Sequence, residues 1–456
     1  MMKSWVFIIL TLLALTPLGS GCNSQTTPTE LTRPVLSENL ICRFESKANS
    51  SPIVYSPDAR RVAYIAEKDG KRCAVIDGIA GNGYSDIYLD FSMFSPDSTR
   101  VAYRAMNFGE DSPADNTWFV VIDGEQGNEY QTVESITFSP DSKHIAYIAD
   151  GSVHLDREKV NIPAGSMVYK ENSLVFSPDS NRLVCVVTSD GRQSVVVDGV
   201  PGQGYNSIEN IVYSPDGRHL AYAAQTENGW CIVTDGVPGK SYESVENLVY
   251  SPDSSHIAFI AKEGLQLNAR DRRYFAVLDG KESEKQTNKI SNLTFSPDSN
   301  HLIYISEENI SISMKHQGFL MIDGEGKGLT EGEIRRLVIS PDSNRIAYVS
   351  YGLHWPPGYQ YRIFLDGEEI GKHELIKDCV FSPDSRHIVF VCIKGPNMSV
   401  SIDRTEGQGY EILGSTVTSP SAADMNIQLV VFDSADRFHY LVRKGDAIYI
   451  IEETIE

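Results

Sequence analysis

Apolar residues in this chain come in short runs, with no helical period. From Ile136 the sequence reads ITFSPDSKHIAYIA: an apolar run, a polar Ser-Pro-Asp-Ser stretch, then a second, nearly continuous apolar run. Proline at the second turn position fixes φ, and Asp and Ser side chains bond back to the backbone, so the polar stretch predicts a turn between two strands, a and b. Strand b, as in Val62-Ala63-Tyr64-Ile65-Ala66, is apolar on both faces, which predicts another sheet on either side. A variable connection leads to strand c, which ends in Asp-Gly, a strong turn signal because Gly accepts positive φ. A return strand d then runs to the next unit.

This unit repeats. Ser-Pro-Asp begins at Ser56, Ser95, Ser139, Ser177, Ser214, Ser251, Ser296, Ser340 and Ser382, at intervals of 37 to 45 residues, and a decayed tenth copy starts at Phe432-Asp433-Ser434. Asp-Gly closes strand c at Asp77, Asp123, Asp198, Asp235, Asp279, Asp323 and Asp366, while Arg157 and Arg404 take the Gly place in the third and ninth units. Strand d is expected to begin around Tyr84, Tyr130, Tyr205, Tyr242 and Tyr410. Four short antiparallel strands per unit, with no helix, predict an all-β fold: a β-propeller of about ten four-stranded blades. A single large ring is favoured and two smaller rings remain open. The tenth unit runs out of residues before its strand d, and the segment around Leu40 to Glu45 is expected to supply it.

The Ser-Pro-Asp-Ser/Gly-x-Arg/His-apolar-Ala-Tyr unit resembles the TolB-type, WD-repeat-like propeller family over about residues 50 to 456. The resemblance implies the fold far more than any function. Peptidases with related propellers carry a Gly-x-Ser-x-Gly elbow, and no such motif occurs here.

Residues 1–22 read as an export signal. Lys3 is the basic n-region, Trp5 to Leu15 is apolar but shorter than the ~20 residues of a membrane span, and small residues precede Cys22. This stretch resembles a bacterial lipoprotein box in which Cys22 is lipidated, departing from it only in Gly19 where Leu is usual; ordinary secretory cleavage stays open. Asn23 after the Cys favours the outer membrane in such lipoproteins. Residues 23–39, rich in Thr, Ser, Pro and Gln, predict a flexible tether, and 40–456 the propeller. The expected location is the periplasmic face of the outer membrane or the cell surface, with the chain membrane-attached through its lipid.

A net charge of −21 and the lack of a basic run exclude nucleic acid as the natural partner. Cys42, Cys73, Cys185, Cys231, Cys379 and Cys392 form no C-x-x-C pair; Cys379 and Cys392 fall on two arms of one predicted hairpin, near enough to bridge, and the rest read as buried thiols. His144, His219, His256, His301 and His387 occupy the same place in the repeat as Arg61, Arg100, Arg182 and Arg345. A place that alternates His with Arg is an architectural charge site, so no metal, cofactor or catalytic residue is assigned.

In a propeller the a–b and c–d turns share one face and the b–c and d–a connections the other. The b–c connections are long in four units: Asn107 to Thr117, Glu263 to Arg273, Glu307 to Gly318 and Tyr351 to Tyr361. Variable loops on a regular scaffold carry binding. Phe108, Arg270, Arg272, Arg273, His354, Trp355 and Tyr359 are therefore the candidate partner-binding residues, Trp and Tyr being suited to protein hot spots and sugar stacking. Trp118, Trp230, Tyr274 and Tyr361 each lie five residues before a strand-c Asp and are expected to pack blades. The expected function is a monomeric envelope module binding a protein or carbohydrate. The alternative is a propeller lyase or hydrolase, or a small-ligand sensor, with its site at the central channel.

Overall fold

The computed structural model describes residues 35–44, 53–109, 113–163, 165–168, 174–264, 272–309, 316–354, 358–411 and 429–455. Cys22, Arg270 and Trp355 lie outside them. The described chain is all-β apart from two short 3-10 turns, Phe91–Met93 and Pro113–Asp115. Its antiparallel sheets follow the predicted a-b-c-d order, as in blade 5 with Ser207–Tyr213, Leu220–Thr226, Gly229–Thr234 and Val237–Tyr242. There are nine sheets but ten blades, because Glu411 pairs with Arg443 and merges the ninth blade with the tenth.

Blade 10 is completed by the N-terminus. Its strands Val430–Phe432, Arg437–Lys444 and Ala447–Thr454 are followed in the sheet by Val35–Arg43 as the outermost strand. That strand starts at Val35, inside the stretch whose composition reads as tether, because Val35, Ile41 and Cys42 pack on the core while Ser37 and Glu38 bond to Glu452 and Lys444.

Ring number is decided by the core. Ten apolar clusters are found among the described residues, and each contains side chains of two consecutive blades. The last joins Leu441, Ile448 and Ile450 of blade 10 to Val62, Tyr64 and Val75 of blade 1. Packing returns to its start after ten steps, so the β-propeller is one ring of ten blades. Strand b is buried as its sequence predicts: Ile145–Ala149 is buried at every position.

The tyrosines fall at the other end of strand d from that expected. Strand d starts directly after Asp-Gly and ends on the tyrosine, as in Ile79–Tyr84, Val200–Tyr205 and Val237–Tyr242. Tyr130 forms only an isolated bridge with Trp118, and Tyr410 opens a two-residue strand. From there four of the rings pack on the strand-b aromatic of the next blade: Tyr130 on Tyr147, Tyr205 on Tyr222, Tyr242 on Phe259 and Tyr410 on Tyr440, with centroids 5.8–6.2 Å apart. Burying such a ring contributes about 2–3 kcal/mol. In blade 8, His373 takes this place, opposite Tyr361 and against Phe390, and burial pushes its pKa down. Trp230 pairs with Tyr242 across blade 5, so the aromatics before the strand-c Asp are packing residues as expected.

All six propeller cysteines are buried free thiols. Cys379 and Cys392, near enough to bridge on the two arms of one hairpin, do not, because the register sets Cys379 opposite Phe390 and Cys392 opposite Ile376.

Candidate functional site

The face made by the a–b and c–d turns is built from one repeated set of bonds. The first Ser of each Ser-Pro-Asp is buried and donates from Oγ to the Asp two residues on, at 2.5–2.6 Å in all nine turns. These bonds, with an N–H from the second residue beyond, hold Asp97, Asp253 and Asp342 down at about 2. The Asp that ends strand c stands at positive φ and accepts the first N–H of strand b, and in eight blades it takes a second bond from the His or Arg beside it. His144–Asp156, His219–Asp235, His256–Asp279, His301–Asp323 and His387–Asp403 meet at 2.6–2.8 Å, and Arg61–Asp77, Arg100–Asp123 and Arg345–Asp366 at 2.8–3.0 Å. The next blade supplies an aromatic lid: Phe94 for Arg61, Phe138 for Arg100, Phe295 for His256 and Phe381 for Arg345. His and Arg alternate because both are planar, donate to a carboxylate and stack on a ring.

These turns are also tied around the ring. The fourth residue of the turn is a serine at φ +61 to +66 in seven blades, and its Oγ accepts the turn-Asp N–H of the preceding blade at 2.9–3.1 Å, as Ser98 does from Asp58 and Ser254 from Asp216. In blade 5 Gly217 stands there, and in blade 1 Ala59. The blade 10–blade 1 junction therefore has another clasp: buried His439 places Nδ1 2.8 Å from Asp433 and Nε2 2.7 Å from the Asp58 carbonyl, and Arg60 reaches Asp433 at 2.8 Å.

Strands a of neighbouring blades touch one another, Ser207–Tyr213 with Ser244–Tyr250 and Glu333–Ile339 with Leu375–Phe381, so they form the inner wall. Exposed Glu209 and Glu246 lie on blades 5 and 6, and Arg335 on blade 8. The strongest contact there is structural. Asp378, fully buried in blade 9, accepts from Arg336 of blade 8 at 2.8 Å and from the Leu429 amide of blade 10 at 2.7 Å. It links three blades. No group of three or more His, Cys, Asp or Glu able to hold a metal occurs among the described residues.

The opposite face is irregular. Blades 1, 3 and 4 close strands b and c with two-residue turns, Asp69-Gly70, Asp150-Gly151 and Asp190-Gly191, all at positive φ. Blades 7 and 8 do not. In the stretches expected there as loops, Glu307 to Gly318 and Tyr351 to Tyr361, the described residues are strand: Leu302–Asn309 pairs with His316–Ile322, and Ile346–His354 with Gly358–Leu365, to the pair His354↔Gly358. They are projecting hairpins, because the ladder continues past the core wherever both arms can pair. His354 and Tyr359 are thus strand residues near a hairpin end. At its root Tyr351 packs on Tyr361 at 4.7 Å, and Arg335 sits over Tyr351 at 5.5 Å.

Arg272 and Arg273 are half-buried at the same end of blade 6, rather than splayed into solvent; Arg273 Nη1 donates to the Arg272 carbonyl. Phe108 of blade 2 is 61% exposed, its backbone held by Ser85 Oγ. Blades 6, 7 and 8 are consecutive, and in a ring of ten blade 2 lies across from blade 7. The long connections therefore make one cluster and one isolated outpost. The sequence showed their lengths; their grouping needed the ring.

No family model matches this chain, and no curated protein matches it. Similar solved structures include the crystal structure of a eukaryotic initiation factor (TM-score 0.45, 13% identity, covering 82% of this chain and 91% of that one). Others are the Dos1 propeller (0.35, 11%, 91% and 94%) and the β-propeller domain of the Trilobed protease from Pyrococcus furiosus (0.34, 12%, 62% and 92%).

Proposed function

We propose that this propeller is an interaction module of the cell envelope, a lipoprotein of the TolB-like kind attached through Cys22, which engages a protein or glycan with the projecting face of blades 6 to 8. The observation that carries the reading is the contrast within one fold: two-residue turns close blades 1, 3 and 4, while blades 7 and 8 extend paired hairpins. Paired strands hold their side chains in a more fixed presentation than a loop does. Trp355 and Tyr359 fall in the blade 8 hairpin segment and are the proposed anchors.

The test replaces residues 353–359 by Asp-Gly, closing the hairpin after the pair Gly352↔Gln360 as blade 1 closes after Lys68↔Lys71. Cross-linking to envelope proteins and co-sedimentation with purified peptidoglycan are compared with the parent chain. Loss of a cross-link or of sedimentation, at an unchanged melting temperature, is the expected result. Full retention of every contact would remove blade 8 from the reading.

A further inference from the structure

The direction of the closing strand says which face the tether leaves from. Val35 pairs with Glu453 and Arg43 with Ala447. Ala447 directly follows the b–c turn of blade 10, whereas Thr454, beside Glu453, pairs with Arg437 at the a–b turn. The chain therefore enters the ring at its outer edge, on the regular turn face. Twelve residues, 23–34, separate Cys22 from this point.

Those twelve residues span at most ~40 Å when extended. The disc is about one strand thick, seven residues in Leu220–Thr226, or roughly 23 Å. To bring the projecting face to a bilayer the tether has to run back along the rim, using more than half its reach and losing most of its freedom. Holding the turn face toward the bilayer costs neither.

A second observation concerns the same rim. Among the described residues, the three most exposed large hydrophobics are Ile79 at 76%, Val200 at 70% and Val237 at 69%, each the first residue after an Asp-Gly turn. All three therefore stand at the turn-face edge, with Leu36, 49% exposed, next to the tether entry. Ile79 and Leu36 belong to neighbouring blades 1 and 10, and Val200 and Val237 to blades 4 and 5 in the other half of the ring.

From these we infer that the regular turn face is the membrane-facing side, its aliphatic rim resting on the lipid surface that holds the anchor, and that the hairpins of blades 7 and 8 point away from it. The inference rests on lipidation of Cys22. The test uses full-length lipidated chain in phosphatidylethanolamine–phosphatidylglycerol vesicles. One cysteine is introduced at either end of strand b of blade 5, as Arg218→Cys on the turn face or Glu227→Cys on the other, both exposed. The propeller thiols are buried and the lipid blocks Cys22, so maleimide dye goes to the new site.

Energy transfer to a headgroup acceptor is expected to be at least twofold greater from position 218 than from 227, and Val200→Ser with Val237→Ser is expected to narrow that gap. Equal or reversed transfer on bound vesicles overturns the orientation and leaves the anchor standing. An unchanged gap in the serine variant removes the aliphatic contact. Absence of labelled fatty acid from the wild type, as from Cys22→Ser, overturns anchor and orientation together.

Discussion

The two faces of the ring are made by the same strands and follow different rules. On the turn face nine blades repeat one turn, and seven hydrogen bonds hand one blade to the next. On the other face the blades differ, from a two-residue Asp-Gly turn in blades 1, 3 and 4 to a blade 8 hairpin in which each arm is two residues longer than in blade 1. A face whose repeated turn residues bond to partners of their own chain has little left to offer a ligand. The face free of those demands is where sequence can change without unsettling the ring.

The contrast is most sharply broken at Asp378. Asp378→Ala leaves Arg336 and the Leu429 amide facing an apolar gap where three blades meet. A loss of about 3 kcal/mol is expected, read as a lower urea midpoint at unchanged slope. The seam comes next. His439→Ala removes the two bonds that His439 makes in the blade 10–blade 1 clasp and is expected to cost about 2 kcal/mol, whereas Ser254→Ala deletes one of seven equivalent inter-blade bonds and costs about 1. Similar urea midpoints for the two variants would contradict a special seam.

Acid probes the turn face as a whole. Asp97, Asp253 and Asp342 are held near 2, below the ordinary value of about 3.9. Their stabilisation is complete above the unfolded value and is lost as pH falls through about 2. The melting temperature is thus expected to fall steeply between pH 4 and 2, and less steeply in Ser251→Ala, which frees Asp253 from its hydroxyl. The smallest effect belongs to His373. Burial lowers its pKa, so the neutral ring is favoured in the fold, and its contribution is lost as pH falls below the unfolded value near 6.5. His373→Tyr, restoring the residue of the other blades, is expected to flatten the melting temperature between pH 7 and 5.

Much of this was legible in the sequence because repetition reports geometry. Nine Ser-Pro-Asp turns gave the blades, and the exchange of His with Arg marked a charge pair before its Asp was seen. The Ser98 class of residue carried a quieter signal: Gly217 and seven serines share one place in the repeat, as a positive φ allows. What stayed hidden depended on register or closure. The bounds of strand d are among these, since a tyrosine marks a strand's end as readily as its beginning. The blade 7 and 8 hairpins read as loops, because Gly352, Gly358 and paired polar residues carry no apolar alternation. Asp378 acts through Arg336 and the Leu429 amide, and His439 through the Asp58 carbonyl, all far from it along the chain, so no local pattern announces them.

The claim that the projecting face carries the function and the turn face the architecture is tested most directly by the blade with its hairpin shortened to Asp-Gly at residues 353–359. Binding to envelope proteins or peptidoglycan and the melting temperature are measured on the same preparation, beside Ser254→Ala. The account predicts lost binding with an unshifted melt for the shortened hairpin, and retained binding with a lowered melt for Ser254→Ala. Retained binding in the shortened chain, with binding lost in Ser254→Ala at a normal melt, would contradict it.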